Sequence, residues 1–295
     1  NRRPLDLEAD ALPLSYGALH SRIHEIVKII QLQAHTKFKI HNYIFSYIPN
    51  RLIKSLKFEA LDATTLVFNK CIVEGVFPEV WKSGKIFPTF KKGAKDKVEN
   101  YRPVCLFSNL GKLLEAVVKK QLTSHLENVL PSNIFGFRPG RGTNDAVGYT
   151  LDKIRQLRAD GKVVAILAMD ASSAFDCISH DLILNSLEII GVGQRMRSWI
   201  ASFLNGCKNF VQIGDGKSEE WVVESGSGQG RRLSPDLFNI ASLSQAILFV
   251  ALSFFAGYAD DGIDIVFGSS DAECDNKLQA LAHERKEWYM KVGLP

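Results

Sequence analysis

The sequence predicts an α+β fold in which an antiparallel sheet is backed by helices, and three observations predict it. An apolar run over residues 163–169 stops on Asp170, as a buried strand does where it reaches the surface. Two more apolar runs, residues 246–256 and 263–267, flank the turn segment Gly257-Tyr258-Ala259-Asp260-Asp261-Gly262. Between and after these runs the apolar residues recur at helical spacing, which gives the order strand, two helices, hairpin, helix, strand-turn-strand, helix. That order suits an antiparallel sheet with helices packed on one face. At 295 residues and 46% hydrophobic content, the chain can bury a substantial core as one unit or two lobes.

Taken in order, residues 1–67 form a flanking region with helical spacing over residues 19–34 and an aromatic cluster of Tyr43, Phe45 and Tyr47. Aromatic rings of this kind stack on single-stranded bases or form a small packing face, and the packing face is the plainer reading. Leu110, Leu113, Leu114, Val117, Val118, Leu122, Leu126 and Val129 follow Ser108-Asn109 and precede Pro131, which predicts a helix with a cap and a stop. A second helix is expected over 143–159 before Gly161, a third over 181–190 before Gly191, and a fourth over 194–205 before Gly206. Residues 209–213 and 220–224, around Gly214-Asp215-Gly216, read as a hairpin. A helix over 235–246 then leads into a strand through 249–252, and Asp271 caps a last helix through Leu278, Leu281 and Trp288 to Gly293. Residues 237–259 hold no charge and are long enough to span a bilayer, but Asn239, Ser242, Ser244, Gln245 and Ser253 interrupt them, so burial explains the apolarity better.

Charge is uneven along the chain. The formal net charge is +4, yet residues 82–158 carry fifteen Lys plus Arg against six Asp plus Glu, so the remainder is net acidic. A basic stretch of this kind supplies salt-dependent, sequence-independent affinity for phosphate backbones, or a solvated face. Cys71, Cys105, Cys177, Cys207 and Cys274 are odd in number and lack CxxC spacing, so neither a disulfide framework nor a zinc site is signalled. His125 and His180 have no ligand-like partners and read as structural. No signal peptide opens the chain, and the missing initiator Met suggests an excerpt of a longer product.

The chemistry lies in the carboxylates. Asp170 at one strand exit and Asp260-Asp261 at a turn give three hard oxygen donors of the kind Mg²⁺ prefers. Phosphoryl transfer needs charge neutralisation more than covalent help, and two such ions clamp the attacking and leaving oxygens of an in-line displacement. Because side chains alternate along a strand, one of two adjacent aspartates faces a given ion, which ranks Asp170 and Asp260 above Asp261.

Seven blocks in order carry a family resemblance. They are Phe77-Pro78-Glu79-Val80-Trp81-Lys82, Pro88-Thr89-Phe90-Lys91-Lys92-Gly93, Asn100-Tyr101-Arg102-Pro103 and Phe135-Gly136-Phe137-Arg138-Pro139-Gly140, followed by three more. Those are the segment Asp170-Ala171-Ser172-Ser173-Ala174-Phe175-Asp176, the segment from Gly228-Gln229-Gly230 to Phe238-Asn239, and the Tyr258-Ala259-Asp260-Asp261 box. Together they resemble the reverse transcriptases of non-LTR, LINE-like retrotransposons.

The resemblance implies a right-hand polymerase, with fingers over about 68–160 and a palm over about 161–295 that stops before a thumb. It implies an RNA-directed DNA polymerase that adds dNTPs to a DNA or RNA primer on an RNA template, with two Mg²⁺ ions, Mn²⁺ being a substitute. Asp170, Asp260 and Asp261 would be catalytic and metal-binding, with Ala171 contributing beside Asp170. Lys91, Lys92, Arg102, Phe175, Gln229 and Gly230 would contact the nucleotide, Phe175 as an aromatic that excludes a 2′-hydroxyl. Phe137 and Arg138 would contact the template. A ribonucleoprotein in cytoplasm and nucleus follows from the same resemblance, with no membrane role and no stated oligomeric state. An element-derived RNA-binding module without activity is the alternative. The chain departs from the usual Pro-Gln-Gly-Ser by reading Gly228-Gln229-Gly230-Arg231 with Arg232 next, which means either extra phosphate contacts or drift. An RNA-dependent RNA polymerase would lack the aromatic at 175.

Overall fold

The computed structural model describes residues 58–170, 174–248 and 253–291. After α1 (Phe58–Glu74), strands β1 (Ser83–Phe90) and β2 (Tyr101–Leu106) pair antiparallel, from Lys85 opposite Leu106 to Phe90 opposite Tyr101. The sequence reads Lys91, Lys92 and Arg102, beside Pro88 and Pro103, as a cationic loop. Strands form nonetheless, since β2 is an edge strand and Pro88 lies beyond Ile86, the last β1 residue with a partner on its other side. That partner is β4 (Lys208–Ile213), which runs parallel to β1 from Ser83 opposite Lys208. The expected hairpin is present, but its return is split into β5 (Gly216–Lys217) and β6 (Trp221–Val222), both paired with β4. The result is a five-stranded sheet in the order β2-β1-β4-β5, with β6 also on β4.

The helices follow the sequence closely. In α2 (Asn109–Val129) the Ser108 hydroxyl accepts the Gly111 N–H at 3.4 Å, and Leu110, Leu114, Val118, Leu122 and Leu126 form the buried stripe. A helix α3 (Thr143–Ala159) stops before Gly161, which has φ 72°. A short α4 (Ala174–Cys177) and α5 (His180–Ile189) come next, and α5 stops before Gly191 at φ 76°. Val192 N–H then closes back on the Leu187 carbonyl at 2.9 Å, the bond a left-handed helix stop permits. After α6 (Gln194–Leu204) and α7 (Ser234–Leu248), the last helix is α8 (Asp271–Lys291).

Phe77 and Trp81, from the first of the seven blocks, are core anchors. Phe77 meets Trp81, Trp199 and Phe203 edge-on with centroids 5.9, 5.5 and 5.1 Å away. Replacing such a buried Phe by Ala costs about 3–5 kcal/mol.

A second sheet carries the acidic segment. Its order is β3 (Val163–Asp170), then β8 (Asp261–Gly268), then β7 (Phe254–Tyr258), all antiparallel. Alternation puts Phe255, Asp264 and Leu167 on one face and Phe254, Ile265 and Asp261 on the other. On the first face lies α8, whose Arg285 sits 4.9 Å from the Phe255 centroid. On the second lies α3, whose Lys153 is 4.9 Å from the Phe254 centroid. Helices on one face were expected, but Ile265 on the second face is fully buried and needs this cover. So α3, within the stretch assigned to fingers, packs on the sheet assigned to the palm. The expected strand over 249–252, Tyr43, Phe45, Tyr47 and residue Ala171 lie outside the described residues. Among the described residues no helix is long and apolar enough to cross a membrane.

Candidate active site

Asp170 is the last residue of β3 and Asp261 the first of β8, and the register sets them directly opposite each other. Tyr258 pairs with Asp261, so Ala259-Asp260 is a two-residue hairpin turn. Ala259 takes φ 56°, a left-handed conformation where such turns usually carry Gly, Asn or Asp. All three carboxylates are exposed. Burial raises the Asp261 pKa, and the charges of Asp260 and Asp170 raise it further, so the three share one field. Register thus places Asp261, ranked below Asp260 from sequence, across from Asp170.

The turn is held from behind by a segment that sequence reasoning assigned elsewhere. Ile134 bridges to Gly257 in parallel, with Phe135 N–H on the Gly257 carbonyl at 2.8 Å and Gly257 N–H on Asn133 O at 3.0 Å. The Asn133 side-chain amide donates to Phe255 O at 2.8 Å, and that of Asn239 to Gly136 O at 2.9 Å. A Cβ on Gly136 would lie 3.0 Å from Ala259 Cα and closer still to its nitrogen, so only glycine fits there. Gly136→Ala should therefore displace the turn and lower catalytic turnover by about 10²-fold, the scale expected of a 1 Å misplacement. Unchanged turnover in steady-state kinetics would show that the turn tolerates the methyl.

Phe175 stands half-buried between Phe137, 5.8 Å away and edge-on, and Phe238, 5.0 Å away. Its carbonyl accepts Ser227 N–H at 2.8 Å, and Gln229 Nε2 donates to Asp176 Oδ2 at 3.1 Å. Burial raises the Asp176 pKa, and the Gln229 bonds oppose that rise. Gln229 O in turn accepts Cys105 N–H at 3.1 Å, and a Cβ on Gly230 would overlap the Cys105 carbonyl. The 226–230 loop therefore ties Phe175 to β2. Arg102 lies on the same strand, with Lys91 and Lys92 at the tip of the β1–β2 hairpin. All three cations are exposed, and among the described residues none of them forms an ion pair.

The family profile described as "Reverse transcriptase (RNA-dependent DNA polymerase)" matches residues 90–294, more than half of the chain. The chain belongs to the reverse transcriptase family. Among curated relatives, the probable RNA-directed DNA polymerase from transposon BS of Drosophila melanogaster is 26% identical over 98% of this chain and 33% of its own length. The RNA-directed DNA polymerase from mobile element jockey of Drosophila funebris is 27% identical over 83% of this chain and 28% of its own. A putative 115 kDa protein in the retrotransposable element R1DM of Drosophila melanogaster is 30% identical over 77% of this chain and 22% of its own. These relatives bear out the LINE-like resemblance, and the chain spans a third or less of their length. Among solved structures, apo telomerase from Candida tropicalis truncated from its C-terminal domain superposes with TM-score 0.57 at 15% identity, covering 74% of this chain and 49% of its own. That likeness shows the polymerase fold.

Reverse transcriptases use divalent metal ions. Among the described residues no three His, Cys, Asp or Glu side chains form a ready-made metal cage. The donors still fit, because Mg²⁺ is commonly bound by one or two carboxylates plus substrate phosphates rather than by an all-protein shell. An open carboxylate trio at a sheet end is that kind of partial shell.

Two arginines differ from their sequence reading. Arg138, expected at the template, is 6% exposed. Its guanidinium forks onto Glu127 at 3.1 Å twice and donates to the carbonyls of Pro131 at 2.7 Å and Ile134 at 3.2 Å. The 131–138 loop turns these acceptors inward, and a buried donor fork satisfies them. Arg231 in this reverse transcriptase is also buried, over the rings of Phe107 at 4.0 Å and Phe203 at 4.3 Å. It donates to Phe203 O at 3.3 Å and Cys207 Sγ at 2.9 Å and offsets the burial that raises the Glu115 pKa. Arg231, at the departure from the usual motif, is thus a packed cation. Arg232 keeps an exposed side chain while its N–H donates to Glu115 at 2.7 Å.

His125 and His180 are structural, His125 against Ile190 O at 2.8 Å and His180 against Gly226 O at 2.9 Å. All five cysteines are free, and burial pushes the Cys71 and Cys105 thiols up to about 12. Sequence reasoning missed the pair Asp264–Arg285, whose signal was a lone carboxylate inside the run 263–267.

Proposed function

We propose that this chain is the nucleotidyl-transfer core of an RNA-directed DNA polymerase of a non-LTR retrotransposon, extending a DNA or RNA primer with dNTPs on an RNA template. The observation that carries the reading is the trio of carboxylates, Asp170 across from Asp261 with Asp260 in the adjoining turn. Asp170, Asp260 and Asp261 would hold Mg²⁺. Bound there, the ions supply charge neutralisation and acidify the primer 3′-hydroxyl. Lys91, Lys92 and Arg102, exposed on the β1–β2 hairpin, orient the triphosphate, Arg through a two-point fork and the lysines as point charges. Phe175 closes the sugar side, and Gln229-Gly230 forms the wall next to it. A ribonucleoprotein with its own template, present in cytoplasm and nucleus, fits this activity.

The test is extension of a primed RNA template by the full-length polypeptide with dNTPs and Mg²⁺, beside Asp260→Asn. Extension that the variant lacks supports the assignment. Tight RNA binding without extension in the unaltered protein would reject it in favour of a binding module. Phe175→Val should in the same assay lower discrimination against rNTPs by about 10-fold or more, since the excluding ring is removed. Unchanged discrimination would remove Phe175 from that role.

A further inference from the structure

We infer that Phe137 is a specificity-determining residue, whose ring braces Phe175 and so sets how strictly ribonucleotides are refused. The inference rests on the reading of Phe175 as the sugar-side wall. Phe137 has φ 59°, a left-handed backbone that is strained for an aromatic residue and persists only where the surroundings impose it. The surroundings do impose it. On one side Gly136 is pinned by Asn239 at 2.9 Å and abuts the Ala259 backbone; on the other, Arg138 is locked by Glu127 and two loop carbonyls.

Burial does not explain the strain, because the Phe137 side chain remains largely open, with 43% of the residue exposed. What the ring touches is Phe175, edge-on at 5.8 Å, while Phe238 supports the other side of Phe175 at 5.0 Å. Phe175 is thus held between two rings, one from the segment that carries the catalytic turn and one from α7. Phe238 is 4% exposed and fixed in the core, so Phe137 is the open member of the three. Without its ring, Phe175 gains room to swing away from the sugar. A ribonucleotide then meets a softer wall.

The experiment compares Phe137→Gly, Phe137→Asn and Phe175→Val in the full-length polypeptide by single-nucleotide incorporation, measuring kcat/KM for a dNTP and the matching rNTP. Gly and Asn both accept the left-handed backbone, so each removes the ring without adding strain. Both Phe137 variants should lower the dNTP preference by roughly three- to tenfold, the reach of one aromatic pair. Their rNTP incorporation should rise relative to dNTP incorporation while they melt at or above the temperature of the unaltered protein, an outcome that a purely structural role would not produce. Unchanged preference in both, with a relaxed Phe175→Val, overturns the inference and leaves the Phe175 assignment standing. Unchanged preference in all three overturns both. A fall in dNTP and rNTP incorporation by the same factor would assign Phe137 to general placement of the turn or the template, and would also overturn it.

Discussion

Asp170→Asn and Asp260→Asn should each lower primer extension by about 10³-fold or more, the loss expected when several kcal/mol of charge stabilisation disappear at about 1.4 kcal/mol per decade. The amide keeps the volume of the carboxylate and removes only its charge, so shape does not confound the result. Stability should hold or rise slightly. All three aspartates are exposed, and the Asp261 pKa is raised in part by the negative charges of Asp260 and Asp170. Neutralising one therefore relieves repulsion in the folded state, and exposed substitutions of this kind usually change stability by no more than about 0.5 kcal/mol. RNA affinity should stay within twofold or so, since the cationic surface lies on other elements. Extension assays, filter binding and thermal melts on the same preparations check all three points. Retained extension in either variant would refute the site, and a melt lowered by many degrees would attribute the loss to unfolding instead.

Arg285→Ala should destabilise the protein by about 3–5 kcal/mol, the range for stripping one partner from a buried ion pair. Arg285 Nε and a terminal nitrogen each donate to Asp264 at 2.8 Å, and Ser253 Oγ donates to the same carboxylate at 2.6 Å. Asp264 is fully buried and Arg285 nearly so. Removing the guanidinium leaves a buried anion whose remaining side-chain donor among the described residues is one hydroxyl. Against a typical total of about 5–15 kcal/mol, that is a large share. The double variant Asp264→Leu with Arg285→Met should recover most of the loss, because an apolar pair of similar volume replaces two charges without orphaning either. Urea titration of the three proteins decides it, and a single variant within about 1 kcal/mol of the unaltered protein would show that water or a neighbour compensates the anion.

Local signals were legible in the sequence and long-range ones were not. The bounds of α2 and α3 follow from caps, stops and apolar spacing, all of which act within a few residues. The places of Asp170 and Asp260-Asp261 at strand ends were legible because a charge interrupts a buried apolar run. The strands β1 and β2 were not, since proline argues locally against a strand and only the edge position makes it tolerable. Nor could the sequence show that β4 leaves the acidic sheet for the other one, because its partner β1 lies far back along the chain. Arg138 and Arg231 look like surface cations in a list of charges. Whether a guanidinium meets phosphate or an inward-facing carbonyl depends on which way its loop turns, and no spacing encodes that.

The parallel pairing of Ser83 with Lys208 also governs how the molecule assembles. During synthesis, β1 and β2 emerge as a two-stranded ribbon and wait for about 100 residues before their third strand leaves the ribosome. At about 5–20 residues per second, the wait is roughly 5–20 s. Throughout it β1 keeps the unpaired flank that β4 later fills, and the ribbon shows the rings of Phe87 and Phe90, both still 40% or more exposed in the finished fold. A lone hairpin is marginal in water, so the ribbon should open and close many times before β4 arrives. The acidic sheet closes later still, once β8 returns to β3. A nascent chain of this protein therefore carries an unpaired β1 edge until residue 208 is made and an unpaired β3 until β8 follows, and destabilising changes in β1 should act more on yield than on the activity of the molecules that survive.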